Sequence, residues 1–312
     1  METILRRRKK INIKRYLFIY GILVIPIANF LVFWVYININ TFVLAFQGWD
    51  HGTSQYVFRG WVNFRNMFKN LRTDAEVTAA LKNSLLLFPW TNFVLLPVSI
   101  ITAFLLYKRV PGERLFRIVF FLPSIISIVV LATAFRFMFD GTGGESLVNG
   151  LLRRIGMANL IPRYGWAGTP GTAYFFILMY CLWAGIGYNV LLLNGAIKRI
   201  PVEIVESGKI DGIGYWRELF SITLPLIGPT VSTLFIIGST AVFTLFIQPM
   251  MLTNGAAYTK TISFIIINSV KSGGANGIVN AAAMGVFFSL IALVSIQVIK
   301  HFMEKLLPPY EY

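Results

Sequence analysis

The sequence predicts an all-α polytopic membrane protein of six transmembrane helices, with a long polar hairpin between the fourth and the fifth. Composition is the first observation behind this: 56% of the 312 residues are apolar, 15% are aromatic and only 13% are charged, far from the balance of a water-soluble domain. Second, six apolar stretches reach the roughly 20 residues a helix needs to cross ~30 Å of hydrocarbon. Third, the polar segment is longer and more charged than the short connections usual between helices.

Taken in order, the spans are placed near residues 16–36, 84–107, 116–138, 174–194, 230–251 and 281–299, with the hairpin over 198–228. They form one transmembrane unit over 16–306, between a basic N-terminus of 1–15 and a short tail of 307–312. The first span follows the run Arg6, Arg7, Arg8, Lys9, Lys10, Lys14, Arg15. No small-residue cleavage site closes it, so it reads as a retained helix rather than a removed leader. The second carries Pro89 and Pro97, which a membrane helix tolerates only where neighbours bond the carbonyls that each proline frees.

The net charge of +15 raises nucleic acid as a partner, and the distribution of the cations argues against it. The N-terminal run and the short second connection, with Lys108, Arg109, Arg114 and Arg117, fall on the same side of the predicted topology. That is the pattern of positive-inside anchoring, and it puts both termini in the cytoplasm. Arg59, Arg65, Lys69, Arg72, Arg153, Arg154 and Arg163 lie on the other side, in long loops that count less. Cys181 sits alone within a span, and His51 and His301 are far apart in the topology, so no disulfide, zinc site or catalytic pair is expected.

Between the first two spans, roughly 45 external residues carry Trp49, Trp61, Phe64 and Phe68, a pattern suited to a short helix along the interface. A second external loop runs over 140–171 with Gly141, Gly143 and Gly144. No Gly-Lys-Ser or Gly-Lys-Thr follows them, so this is no phosphate loop and the chain has no ATP site of its own.

The hairpin has balanced charge, with Lys198, Arg199, Lys209 and Arg217 against Glu203, Glu206, Asp211 and Glu218. Pro201 is placed to open a helix, Gly212 and Gly214 to break it, and Trp216, Leu219, Phe220 and Ile222 to form a second amphipathic piece before Leu224-Pro225. Glycine at 212 serves either a left-handed backbone or the close approach of another surface. A hairpin that merely links two spans is the plainer alternative.

Glu206-Ser207-Gly208, three residues, Gly212, nine residues and Ile222-x-Leu224-Pro225 resemble the signature loop of the permease subunits of binding-protein-dependent ABC importers. That pattern is Glu-Ala-Ala, three residues, Gly, nine residues, Ile-x-Leu-Pro. Glu206, Gly212, Ile222, Leu224 and Pro225 match it, as does the Asp211-Gly212 pair, whereas Ser207 and Gly208 stand where the family has two alanines. Further resemblance is to the sugar-importing, maltose-permease-F-like class. It is carried by Phe58-x-Gly60-x-x-Asn63-Phe64 with Asn83-Ser84, by Arg117 with Phe120-Phe121-Leu122-Pro123, by Ile200-Pro201, and by Leu252-Thr253-Asn254-Gly255 with Ala256 in place of a second glycine.

The resemblance implies a multi-pass subunit of a bacterial or archaeal cytoplasmic membrane that is not itself an enzyme. It implies a second homologous permease, a cytoplasmic ATPase dimer holding the ATP and Mg2+, an extracellular or periplasmic solute-binding protein, and a sugar, most simply an oligosaccharide. Within the loop, Glu206, Ser207, Gly208, Asp211 and Gly212 are implied to couple to the ATPase, and Ile222, Leu224 and Pro225 to pack the hairpin on its own core. An importer of a polyol, a glycerophosphodiester or a peptide stays open, since the loop speaks about the ATPase and not the cargo. An ion-coupled secondary transporter is disfavoured by spans almost free of carboxylates, and a membrane enzyme by the lack of a reactive constellation at depth.

Polar and aromatic residues inside spans are the candidates for a substrate path. Tyr180, Trp183, Gly187 and Asn194 share one face of the fourth span, and Thr233, Thr240 and Thr244, with Phe243 and Gln248 adjacent, one face of the fifth. Helix packing is the competing explanation for each.

Overall fold

A computed structural model of the protein describes residues 13–140 and 145–307. Most of the N-terminal basic run, Gly141, Gly143, Gly144 and residues 308–312 of the tail lie outside the described residues, as do the side chains of Lys14 and Arg15. The described chain is almost wholly helical. Helix α1 (Ile13–Phe30) passes through one widened π turn, Leu31–Tyr36, into α2 (Ile37–Leu44). A hairpin of β1 (Gln47–Asp50) and β2 (Gln55–Phe58) follows, antiparallel with Gln47 opposite Phe58. Next come α3 (Val62–Thr73) and α4 (Ala75–Pro89), which another π turn, Trp90–Leu95, joins to α5 (Leu96–Tyr107). Helices α6 (Glu113–Ile125), α7 (Ile128–Asp140), α8 (Leu147–Arg154) and α9 (Thr172–Ile197) lead to the hairpin. The hairpin holds α10 (Val202–Ile210), α11 (Tyr215–Glu218), a π turn at Leu219–Thr223 and α12 (Leu224–Leu226). Helices α13 (Gly228–Thr244), α14 (Ile247–Leu252), α15 (Ile262–Ser272) and α16 (Gly274–Leu306) complete the order.

Four helices among the described residues are long and apolar enough to cross a membrane: Tyr16–Leu44, Ala75–Tyr107, Thr172–Ile197 and Gly274–Leu306. Two bent pairs, Glu113–Ile125 with Ile128–Asp140 and Tyr215–Leu226 with Gly228–Thr244, bring the candidate spans to as many as six when each pair is counted as one broken span. The third expected span, 116–138, is therefore not one straight helix but turns by 119° at residues 126–127. Pro123 lies inside α6 and Ile126 is extended at ψ 143; proline removes a backbone donor and crowds the preceding turn, so the helix stops soon after it. The fifth expected span, 230–251, is likewise interrupted, because Leu245 is extended at ψ 109 between α13 and α14. Among the described residues, the small sheet between the first two spans is the one departure from an all-α chain, and α3 is the short helix in the same segment.

The second span stays continuous through both prolines, and its polar side chains reach across to other helices. The π turn between Pro89 and Pro97 brings the Thr91 hydroxyl within 2.8 Å of the Leu87 carbonyl and 2.9 Å of the Gly238 carbonyl on α13. The Asn92 amide donates to the Phe88 carbonyl at 3.0 Å and meets Ser239 Oγ at 3.1 Å. Trp90 Nε1 donates across to the Leu178 carbonyl on α9 at 2.9 Å. Polar groups inside the span thus bond to neighbouring helices, as an apolar surrounding requires.

The main core joins Leu96, Ala103, Leu106, Val190, Leu193, Val231 and Leu234, from α5, α9 and α13. A second cluster, around Phe64, Met67, Ile262, Ala283 and Phe288, ties α3 to α15 and α16. In contrast, none of the apolar window of Tyr16–Leu44 is buried against the rest of the described chain. Its end, α2, meets the rest of the described chain, where Leu44 packs on the second cluster, and the apolar window is left for lipid or another protein.

Candidate functional site

Two regions gather the predicted residues, and the first is the polar hairpin. Pro201 precedes α10 as its N-cap, and the helix ends through a Schellman motif: Gly212 N–H donates to the Lys209 carbonyl and Ile213 N–H to the Gly208 carbonyl, both at 3.0 Å. Gly212 carries φ +72, and a Cβ there would meet nothing within 4 Å. Of the two reasons for glycine at 212, the left-handed backbone is the one the fold requires. Gly208 serves differently. It is buried, and a Cβ there would stand 2.7 Å from Ile222 Cδ1 and 3.5 Å from Ile213 Cδ1, so the close approach it permits is within the hairpin and not toward a partner. Ile222 thereby lies against α10, Leu224 packs on the main core, and Pro225 stands in the first turn of α12.

The outward face of α10 is left with Glu206, Ser207 and Asp211, all exposed. Val202 at 57% and Ile210 at 87% exposure lie on the same short helix, and Trp216 at 59% on the next. The short helix thus presents bare apolar side chains next to carboxylates. The sequence pattern put Trp216 in one amphipathic piece with Leu219, Phe220 and Ile222. Its place outside follows from the π turn at Leu219–Thr223, which turns Leu219 inward to 1% exposure and leaves Trp216 and Phe220 out.

The second region is a cavity of about 310 Å³ between the π turn Trp90–Leu95, α6, α7, α9 and α14. Thr91, Pro123, Ile128, Tyr180, Gly185 and Gln248 are among its walls. It brings together Tyr180 and Gln248, two of the substrate-path candidates. Trp183 stands one layer behind, stacked on Phe135 at 5.6 Å. The others do not line it. Asn194 bonds its own helix at the Val190 carbonyl, the Thr240 and Thr244 hydroxyls bond carbonyls within α13, and Phe243 packs on the second cluster. Gly187 is a packing glycine, where a Cβ would come within 2.2 Å of the Phe120 carbonyl oxygen. The bend after α6 and the extended break at Leu245 after α13 decide this: the cavity opens at those broken ends, near Ile126 and Leu245, and not along the straight faces.

Residues 95–307, which hold the far half of the second span, the hairpin and all that follows, match the family described as the binding-protein-dependent transport system inner membrane component. The chain belongs to that family. The permease is 28% identical over 307 residues to the diacetylchitobiose uptake system permease protein NgcF of Streptomyces coelicolor, covering 93% of this chain and 85% of that one. It is 30% identical over 279 residues to the probable ABC transporter permease protein YurN of Bacillus subtilis, covering 88% and 92%. Its fold superposes with a TM-score of 0.78 on a chain of a bacterial ABC transporter involved in the import of the acidic polysaccharide alginate, at 25% identity over 94% of this chain and 97% of that one.

Two features of the permease escaped sequence reasoning because their partners are distant along the chain. Lys108, read there as one basic residue among several, forms a buried pair with Glu218. Asn83 Nδ2 donates to the carbonyls of Tyr258 and Lys260 at 2.7 and 2.9 Å, holding the turn after Leu252-Thr253-Asn254-Gly255, in which Ala257 and Tyr258 adopt φ 52 and 60. Lys260 also pairs with Glu76. Removing the amide by Asn83→Ala leaves two carbonyls to solvent and a left-handed turn unsupported. The variant is expected to be less stable by about 1–2 kcal/mol, read as a lower thermal midpoint in detergent, and an unchanged midpoint would refute it.

Proposed function

We propose that this permease is the membrane subunit of an ATP-driven importer, whose α10 docks on a cytoplasmic ATPase dimer and whose cavity passes a neutral oligosaccharide delivered by an external binding protein. The observation that carries the reading is the outer face of α10: Glu206 and Asp211 beside a bare Ile210, on a helix held by its own Schellman end. A short rigid helix with exposed carboxylates and one prominent apolar side chain is suited to a cleft in a partner, and rigidity is what lets it carry motion.

ATP and Mg2+ are then bound by the ATPase subunits, while this chain binds no cofactor and performs no chemistry. With the hairpin at the cytoplasmic face, both termini lie inside, as the basic clusters suggest. A second, homologous permease is the natural cover for Tyr16–Leu44, whose apolar window finds no burial against the described chain. For the cargo, the support is the uptake named for the diacetylchitobiose relative and a cavity wall that carries Tyr180, Thr91 and Gln248 but no charged side chain.

The test is extraction of the tagged chain from its native membrane under mild conditions, beside Glu206→Lys with Asp211→Lys. A second permease and an ATPase should accompany the wild type. The double variant should retain the permease partner and lose the ATPase by tenfold or more, which corresponds to about 1.4 kcal/mol. A wild-type chain that purifies alone would sink the reading.

A further inference from the structure

The buried pair at the base of the hairpin has a place that invites a role. Lys108 caps the C-terminus of α5, and its Nζ stands 2.5 and 2.6 Å from the two carboxylate oxygens of Glu218, the last residue of α11. The two side chains are only 11% and 6% exposed. The ammonium also lies over three rings, Phe104 at 5.5 Å, Tyr107 at 5.8 Å and Tyr215 at 5.6 Å. Tyr215 belongs to the hairpin and the other two to the span, so the cation is held from both sides. Such a pair, out of water, with Nζ hydrogen-bonded to Oε2 and in ion-pair contact with Oε1, keeps one geometry where an exposed pair would slide.

What it joins gives the geometry meaning. Ala75–Tyr107 is one helix, and Thr91 and Leu95 in its middle line the cavity, while its end grips the hairpin through Lys108. At the other end of the linkage, Glu218 adjoins the π turn that carries Ile222 against Gly208 of α10. A continuous chain of contacts therefore runs from the outer face of α10, through Ile222 and Glu218, to Lys108 and up one helix to the cavity wall.

We propose that Lys108 and Glu218 are positioning residues that pass displacement of the ATPase-docking hairpin to the second span and so to the cavity. This rests on the importer reading above. Displacement crosses such a junction only if it does not slip, and a short, buried ion pair caged by rings from both the span and the hairpin resists slip.

The experiment uses the whole transporter in proteoliposomes and compares wild type with Lys108→Met/Glu218→Met, which keeps the volume and removes both charges together, and with Lys108→Arg, which retains the pair. Three quantities are read: ATPase retained by the complex, basal ATP hydrolysis, and solute taken up per ATP hydrolysed. The Met/Met complex should hold its ATPase and its basal hydrolysis while uptake per ATP falls about tenfold, within the range by which residues between two coupled sites alter coupling. Lys108→Arg should stay within about threefold of wild type, less than the span of such effects. Where Met/Met does not assemble, Glu218→Gln, which keeps the shape and removes one charge, is read in the same way. Unchanged uptake per ATP would overturn the proposal and leave the pair as packing alone. Loss of the ATPase from the Met/Met complex would also overturn it, assigning the pair to the docking face. Failure of the importer reading is a separate outcome, since the wild type would then bring no ATPase at all.

Discussion

Gly212→Val is expected to abolish capture of the ATPase, whereas Gly212→Asn is expected to keep most of it. There is room for either side chain, since a Cβ at 212 meets nothing within 4 Å. The difference lies in the backbone. At φ +72 an L-residue is strained by roughly 1–2 kcal/mol, and a β-branched one by more, whereas asparagine visits this region readily. Valine should relax the strain by opening the bonds from Gly212 and Ile213 to the Lys209 and Gly208 carbonyls, which unwinds the last turn of α10 and moves Ile210 and Asp211. Co-purified ATPase should fall by tenfold or more for valine, which corresponds to about 1.4 kcal/mol. Equal retention by the two variants would show that the end of α10 does not govern docking.

Gly187→Leu should prevent the fold from closing, and Gly187→Ala should already weaken it. Helices α6 and α9 approach so closely that a Cβ at 187 would lie 2.2 Å from the Phe120 carbonyl oxygen and 3.2 Å from its carbon. These are backbone atoms and cannot swing aside, so the helices themselves must separate. Alanine is expected to cost about 1–3 kcal/mol, the usual range for overpacking, and leucine to leave little extractable monodisperse protein. Gly195, on the same helix with nothing within 4 Å of its added Cβ, provides the control: Gly195→Ala should be neutral or stabilise by up to about 1 kcal/mol. Thermal midpoints in detergent measure both, and equal behaviour at 187 and 195 would refute the packing argument.

What could be read along the chain was whatever depends on near neighbours. Apolar runs announce spans because each must satisfy its backbone within itself, and Pro201, Gly212 and Gly214 announce a hairpin because φ and the missing donor are properties of the residue. The signature spacing from Glu206 to Pro225 was legible for the same reason, being confined to one such hairpin. The bends of the third and fifth spans were only half legible. Pro123 and Pro249 stand close to the breaks, yet Pro89 and Pro97 occur in a helix that stays continuous and is tied by Thr91, Asn92 and Trp90 to α13 and α9.

By itself, then, the sequence determined the class of protein, the number of candidate spans and the place of the hairpin. The tertiary structure alone decided which glycine faces inward, with Gly208 against Ile222 and Gly212 open, and which candidates share a cavity, with Tyr180 beside Gln248 while Asn194 and Thr240 bond their own helices. It alone brought Lys108 onto Glu218. Local propensity acts over a turn or two of chain, but which helix faces touch is set by packing between elements far apart in sequence, where no local pattern records the partner.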